Sequence, residues 1–339
     1  MASISVVMIV KNEERCLRDC LDSLKHIADE IVVVDTGSTD QTKAIAGEFT
    51  DKIFDFVWTG RFCDARNFAF SKASCEYIYS ADADEYLDEE NRRKLQILKE
   101  ALVPEVEIVQ MYYTNQLEYG TVYNFDKELR PKLFKRLREF TWIEPIHETV
   151  RLEPVVFDSE IEIIHRPAAS HSTRDLEYFE RLILQGEALS GRLHGFYARE
   201  VFMLGDQEHL QKAIPYFEAY VSEEHNEDSL KEAFCVLAKA GYELEDDGLF
   251  YKYAMKAVTL GGCAEICTLL GEYYYKKKDF TESYLWFYNG AYETESILDI
   301  HSSGDVPLKG LARCYHELGN EEQAAAYEQA ASEWHVPET

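Results

Sequence analysis

The sequence predicts an α/β domain with a doubly wound sheet, followed by an all-α domain. Three observations lead to this: 339 residues exceed one average domain, the first fifty residues alternate strand, helix, strand and helix, and the apolar period becomes helical throughout from Arg174 onward. Alternating strands and helices imply right-handed crossovers in one sheet. We therefore expect two domains, covering residues 1–172 and 173–339.

Short apolar runs predict the strands of the first domain. The first two cover residues 4–10 and 30–35, and their nearly continuous apolar character is typical of parallel strands covered on both faces. Further strands are predicted at 52–58, 76–80, 107–115 and 161–165. Apolar positions at helical spacing predict helices at 16–26, from 41, after 61–67 and at 88–102.

The fourth run ends in two acids two residues apart, Asp82 and Asp84. If the strand continues through them, both side chains project to the same side at its carboxyl end. Their mutual repulsion is relieved by a hard divalent cation, which keeps positions open for phosphate oxygens. A solvated acidic turn is the alternative interpretation of such a pair.

Other polar clusters follow predicted strands directly. Asn12 and Glu13 follow the first strand, and Asp35 ends the second. Ligands of doubly wound sheets lie outside the carboxyl ends of the strands, so these clusters should converge with Asp82 on one crevice. Asp64 and Arg66 begin the next helix, either as a cap and a surface cation or as an acceptor and a donor for a nucleobase, with arginine also able to reach phosphate.

Four motifs in fixed order resemble the family 2 nucleotide-sugar glycosyltransferases. They are Lys11-Asn12-Glu13-Glu14, Asp35-Thr36-Gly37-Ser38, Asp64-Ala65-Arg66-Asn67 and Asp82-Ala83-Asp84-Glu85, at the spacing of that family. A second block, from residues 130–136 to 142–148, is similar to other segments of the same enzymes. The resemblance implies a nucleotide-diphospho-sugar transferase fold of the GT-A type.

The resemblance also implies roles for individual residues. Asp35 would accept a hydrogen bond from the base, with Asp64 and Arg66 beside it. Asp82 would lie by the ribose and the metal, and Asp84 would ligate Mg²⁺ or Mn²⁺ bridging the diphosphate. The remaining donor-site residues would be Val10, Asn12, Glu13 and Ala83.

An inverting transferase needs a carboxylate that takes the acceptor proton while a metal holds the departing diphosphate. Glu148 is the first candidate for this base and Glu144 the alternative, although Glu148 and its neighbour could instead form a local hydrogen-bonded pair. His165, at the end of its strand, could be a third metal ligand beside Asp82 and Asp84, or a structural histidine. Arg166 could neutralise diphosphate charge.

The spacing of small and aromatic residues between roughly 190 and 335 resembles three to four tetratricopeptide repeats of 34 residues. The match is clear at 263–292 and 307–335 and poor at 225–260. Stacked repeats present a concave face that suits an extended peptide or another subunit, so a homodimer through this domain is one expectation.

Charge and composition limit the partners. The net charge is −28, and residues 175–339 carry 31 acids against 13 Lys plus Arg, which disfavours nucleic acid and anionic membranes and suits a basic acceptor. The longest apolar runs fall short of the roughly 18 residues that span a bilayer, so a cytoplasmic protein is expected. Eight cysteines without a C-x-x-C pair predict neither a disulfide framework nor a zinc site.

The expected function is that of an inverting, metal-dependent glycosyltransferase, a hexosyltransferase acting from a UDP-linked or other nucleotide sugar. Similarity to family 2 enzymes with attached repeats, including the sublancin-type peptide S-glycosyltransferases, implies a peptide or protein acceptor. One alternative is a lipopolysaccharide-core or capsule glycosyltransferase, which the acidity disfavours. Another is a non-catalytic repeat scaffold with a degenerate transferase domain, which the intact carboxylates disfavour.

Overall fold

The computed structural model describes residues 2–114, 127–136, 142–147, 149–150, 155–165, 174–223 and 226–336. These residues divide into two compact units, residues 2–165 and residues 174–336. The first is an α/β unit and the second is helical, as the sequence predicts. The predicted boundary at 172 and 173 lies outside the described residues and stays a prediction.

The α/β unit alternates strands and helices along most of its length. Its strands are β1 Ile4–Val10, β2 Glu30–Asp35, β3 Ile53–Asp55, β4 Tyr77–Ala81, β5 Glu85–Tyr86, β6 Ile108–Thr114, β7 Glu128–Lys135, β8 Trp142–Ile143, β9 Thr149–Val150 and β10 Val156–His165. Its helices are α1 Leu17–Leu24, α2 Thr42–Ala46, α3 Phe62–Phe70 and α4 Glu89–Ala101.

One eight-stranded sheet has the order β3-β2-β1-β4-β7-β6-β10-β5. Strands β3, β2, β1 and β4 are parallel, as expected for a doubly wound sheet. Strand β7 runs antiparallel between β4 and β6, and β5 runs antiparallel to β10 at the edge. The sequence did not predict β7, because its charged residues and Pro131 are poor strand signals; Pro131 lies at a register shift against β6.

Both faces of the parallel half are buried. Ile4, Val6 and Met8 of β1 pack on the face that includes residues of α1, whereas Val7 packs on the other face with residues such as Ala69 of α3. This two-sided burial explains the nearly continuous apolar runs of β1 and β2. The carboxyl ends of these strands therefore share one polar edge.

Glu30 ties the opposite end of the sheet together. Its carboxylate accepts hydrogen bonds from the Ser5 hydroxyl, from the Ser74 backbone N–H at 2.7 Å and from Lys52. Burial opposes its ionisation, but Lys52 and the serine donors outweigh burial and lower the Glu30 pKa to about 2.

We expect Glu30→Gln to lower the free energy of unfolding by about 2 kcal/mol at pH 7, because charge-assisted hydrogen bonds are lost. Since the folded-state pKa of Glu30 lies below its ordinary value of 4.5, its stabilisation is complete above pH 4.5 and is lost as the pH falls toward about 2. Denaturant titrations at pH 7 and pH 3 measure both effects. Equal pH dependence in wild type and variant would contradict this role of Glu30.

The second unit consists of helices in the described residues. They are α5 Arg174–Leu184, α6 Gly191–Leu204, α7 Gln207–Tyr220, α8 Glu227–Glu243, α9 Asp247–Thr259, α10 Ala264–Lys276, α11 Phe280–Tyr292, α12 Asp305–Glu317 and α13 Glu321–Glu333, with a 3-10 turn at Ile300–Ser303. No helix of the described part of the chain is long and apolar enough to cross a bilayer.

The helices of three pairs, α8–α9, α10–α11 and α12–α13, are joined by loops of three residues with the same conformation. In each, the middle residue has positive φ, at Glu245, Lys278 and Gly319. An Asp or Asn side chain then caps the second helix by accepting from a backbone N–H. The pair α8–α9 therefore matches its neighbours even though its sequence match to the repeat is poor.

Glycine allows close helix packing around Phe287 of α11. A Cβ atom on Gly271 would lie 2.6 Å from the Phe287 ring, and one on Gly310 would also lie 2.6 Å from it. Phe287 is fully buried, so the ring cannot move aside.

We expect Gly271→Ala to destabilise the helical unit by about 1–3 kcal/mol through overpacking. Gly191→Ala is the matched control, since nothing lies within 4 Å of its added Cβ. Circular dichroism during urea unfolding measures the difference, and equal stability of the two variants would contradict the close packing.

Candidate active site

Asp35 ends β2 at the polar edge and is paired in register with Val10, the buried last residue of β1. Its Oδ1 accepts hydrogen bonds at 2.9 Å from the backbone N–H groups of Gly37 and Ser38, in a turn where Gly37 has φ +108°. Its Oδ2 is buried and has no hydrogen-bond partner among the described residues. A buried acceptor without a donor is costly, so this oxygen suits a ligand N–H.

Asn12 and Glu13 join the loop after β1 to the loop after β2. Asn12 has φ +57°, its backbone N–H donates to Ser38 Oγ at 2.9 Å, and its Oδ1 accepts from Thr39 N–H at 2.8 Å. The Glu13 N–H donates to Thr42 Oγ1 at 2.7 Å. These residues therefore shape the edge beside Asp35 through hydrogen bonds between loops.

Arg66 lies in α3 with Asp64 in the first turn of the same helix. The guanidinium donates to Ser80 Oγ at 2.7 Å and to Asp82 Oδ1 at 3.2 Å. Asp64 Oδ2 accepts from Thr59 Oγ1 at 2.8 Å. Arg66 is only 8% exposed, which excludes a free surface cation and places its charge beside β4.

Asp82 lies between two cations. Lys132 of β7 approaches its Oδ2 at 3.5 Å, opposite the contact with Arg66, and Lys132 also pairs with the buried Glu85. Burial opposes ionisation of Asp82, but the charges of Lys132 and Arg66 outweigh burial and keep the Asp82 pKa below its usual range. Burial raises the Glu85 pKa to about 7; Lys132 opposes this rise and Asp82 adds to it.

Asp84 turns to a different partner, His165. Strand β4 ends at Ala81, so Asp82, the buried Ala83 and Asp84 lie in the turn before β5 rather than along a strand. His165 is paired in register with Glu85, and its Nε2 lies 3.1 Å from Asp84 Oδ2. The predicted pair Asp84 and His165 is therefore brought together, whereas Asp82 contacts Arg66 and Lys132.

The spacing of Asp84 and His165 fits a shared divalent cation. Two ligand atoms that lie at right angles about 2.1 Å from one ion are about 3.0 Å apart, which matches 3.1 Å. Carboxylate oxygen suits both Mg²⁺ and Mn²⁺, whereas imidazole nitrogen favours a transition-metal ion such as Mn²⁺ over Mg²⁺. These two residues could therefore hold a metal ion without a change of backbone.

The segment 142–145, which contains the candidate base Glu144, is held against α3. The Asn67 side chain forms two hydrogen bonds with the backbone of Trp142, from Nδ2 to the carbonyl at 3.0 Å and from the Trp142 N–H to Oδ1 at 2.8 Å. The Phe62 N–H donates to the Pro145 carbonyl at 3.0 Å. Glu144, which directly precedes Pro145, has a backbone φ of +69°.

Two predicted residues, Glu148 and Arg166, lie outside the described residues. The contacts of Asn67 and Lys132 are the main features that the sequence did not reveal. Lys132 gave no distinct signal, because it lies in one basic stretch of the sequence with Arg130, Lys135 and Arg136. Asn67 belongs to one of the four motifs, but its hydrogen bonds to Trp142 had no signal in the sequence.

Residues 5–150 match the family model described as glycosyl transferase family 2. These residues are a glycosyl transferase family 2 domain. The matched region contains every described site residue except His165, which lies in β10 just beyond it.

Individual relatives match different shares of the chain. A TPR repeat-containing protein of Synechococcus elongatus is 45% identical over 26% of this chain and 22% of its own length. The SPbeta prophage-derived glycosyltransferase SunS of Bacillus subtilis is 29% identical over 67% of this chain and 57% of its own. An uncharacterized glycosyltransferase of Rickettsia felis is 36% identical over 29% of this chain and 34% of its own length. The chain thus spans about a fifth to three fifths of these relatives' length.

Among solved structures, glucosyl-3-phosphoglycerate synthase from Mycobacterium tuberculosis, in complex with Mg²⁺ and UDP, has a TM-score of 0.41 with this chain. The sequences are 15% identical, and the match covers 56% of this chain and 82% of that one.

Proposed function

We propose that the protein is an inverting, metal-dependent glycosyltransferase that moves a sugar from a nucleotide-diphosphate sugar to a peptide or protein. The observation that carries the proposal is the 3.1 Å contact of Asp84 and His165 at the polar edge of a family 2 domain. The two side chains would be metal ligands at the place where a diphosphate would meet the sheet.

In the proposed donor complex, Asp35 accepts a hydrogen bond from the base through the oxygen that has no described partner. Asp64 and Arg66 lie on α3, which is the helix that follows β3. The side chain of Asp82 is oriented by its contacts with Arg66 and Lys132. Because two cations already share the Asp82 carboxylate, we propose that it positions the ribose and that Asp84 and His165 hold the metal.

A divalent cation bound there would supply positive charge to the departing diphosphate. A carboxylate, Glu148 or alternatively Glu144, takes the proton of the acceptor as it attacks the anomeric carbon opposite the leaving group. Attack from that side inverts the configuration. The hydrogen bonds of Asn67 and Phe62 hold residues 142–145, and with them Glu144, against α3.

Two observations support a polypeptide acceptor. The similarity to SunS covers 67% of the chain, whereas the family model matches only residues 5–150. The similarity to SunS therefore extends beyond the residues that the family model matches. Residues 175–339 carry 31 acids against 13 basic residues, which suits a basic acceptor segment. A homodimer through the repeats and a cytoplasmic location stay predictions.

The proposal is tested with a panel of nucleotide sugars, with and without Mn²⁺. The release of nucleoside diphosphate is measured in the absence and in the presence of an acceptor. Peptides rich in Lys or Arg that carry Ser, Thr or Cys serve as acceptors, with acidic peptides of equal length as controls. We expect metal-dependent release and a mass increase of one sugar on the basic peptides. Absence of both release and donor binding would indicate a non-catalytic scaffold, and strong sedimentation with anionic vesicles would favour a membrane glycan acceptor.

A further inference from the structure

Two cysteines that are distant in the sequence meet inside the helical unit. Cys235 lies in α8, and Cys263 directly precedes α10. Their Sγ atoms are 3.3 Å apart, and the two residues are 0% and 2% exposed. The sequence did not predict this pair, because the two cysteines do not have C-x-x-C spacing. Helix packing brings the two thiols together.

Glu265, in the first turn of α10, adds a carboxylate to the thiols. Its Oε1 accepts hydrogen bonds from three consecutive backbone N–H groups, those of Ile297, Leu298 and Asp299, at 2.7 to 2.9 Å. Its Oε2 is buried and has no hydrogen-bond partner among the described residues. One ligand atom from Glu265 and the two Sγ atoms all lie within 4.8 Å of one another.

We propose that Cys235, Cys263 and Glu265 bind one thiophilic divalent cation of the Zn²⁺ class. Binding replaces two thiol protons: the ion takes two thiolates and one carboxylate, and two protons are released to solvent. Thiolate sulfur selects Zn²⁺ over Mg²⁺ and Mn²⁺, so this site differs in chemistry from the oxygen and imidazole ligands of Asp84 and His165.

The geometry needs only small adjustments. Two sulfurs at 2.3 Å from a tetrahedral ion are about 3.8 Å apart, so the thiols must separate by about half an ångström. A bound ion would tie α8 to α10 and, through the hydrogen bonds of Glu265, to the segment before α12.

Co²⁺ is the best probe, because tetrahedral sulfur-ligated Co²⁺ absorbs strongly in the visible range and octahedral Co²⁺ bound to oxygen and nitrogen absorbs weakly. The full chain, reduced and freed of metal, is titrated with Co²⁺ in the presence of excess Mg²⁺. We expect one equivalent to give the intense band, Zn²⁺ to abolish it, and the thermal midpoint to rise with Zn²⁺.

Cys235→Ser and Cys263→Ser should each lose the band, and Glu265→Gln should weaken Co²⁺ binding by about tenfold or more while retaining an acceptor for the three N–H groups. Cys314→Ser is the matched control, a buried thiol in the same unit that contacts Ser283 Oγ at 3.2 Å, and it should keep the band. Circular dichroism checks that each variant folds.

Failure of wild type to give the band, or an equal band in the Cys235→Ser variant, would overturn the proposal. An intact mass two hydrogens lower than the reduced chain, with loss of both thiols, would overturn it in favour of a disulfide. None of these outcomes depends on transferase activity.

Discussion

Asp84→Ala is expected to lower kcat/KM for nucleotide-sugar turnover by at least about a hundredfold, because it removes a proposed ligand of the cation that would stabilise the departing diphosphate. Asp84 lies in the turn between β4 and β5, its side chain is 21% exposed and its described contact is to His165. The fold should therefore survive, with a thermal midpoint within about 3 °C of wild type. Steady-state release of nucleoside diphosphate over a range of Mn²⁺ concentrations measures the effect.

Two further variants make the test specific. His165→Ala should cause a smaller loss, about tenfold to a hundredfold, and raise the Mn²⁺ concentration needed for half-maximal rate. Asp51→Ala, at an exposed acid of the same unit, should leave both quantities unchanged. Full turnover by Asp84→Ala would refute the metal assignment.

Lys132→Met is expected to cost about 3 kcal/mol of unfolding free energy, because it leaves the Glu85 carboxylate buried without its cation. The Lys132 and Glu85 side chains are only 6% and 2% exposed. Asp82 retains Arg66, so the main loss falls on Glu85. Denaturant unfolding at pH 8, above the Glu85 pKa of about 7, measures the cost.

The double variant Lys132→Met with Glu85→Gln should recover most of this loss, since neither partner is then charged. Lys127→Met is the matched control on the approach to β7. Its ion pair with Glu162 is about 40% exposed on both sides, so its loss should cost less than about 1 kcal/mol. A Lys132→Met protein as stable as the Lys127→Met protein would contradict the buried pair.

The parallel half of the sheet was predictable because its signals are local. Continuous apolar runs mark β1 and β2, and Asp35 ends β2 where an edge residue should lie. The antiparallel insertion of β7 was not predictable, because pairing with β4 and β6 sets its position and its own residues are charged.

The sequence predicts that several candidate residues follow strand ends, but it does not predict which of their side chains contact each other. Sequence placed Asp82 and Asp84 together, yet the end of β4 at Ala81 separates their contacts. The contact of Asp84 with His165 depends on β10 lying beside β5, a pairing across about eighty residues. The contact of Cys235 with Cys263 depends likewise on helix packing. Such contacts are set by tertiary structure, which local patterns do not encode.

Calorimetric titration of the full chain with UDP, with and without Mn²⁺, tests the metal-dependent donor site most directly. We predict one UDP bound per chain with at least about tenfold higher affinity when Mn²⁺ is present, because the cation would join the diphosphate to Asp84 and His165. Equal affinity in the presence and absence of the metal, or no binding in either case, would contradict the proposed site.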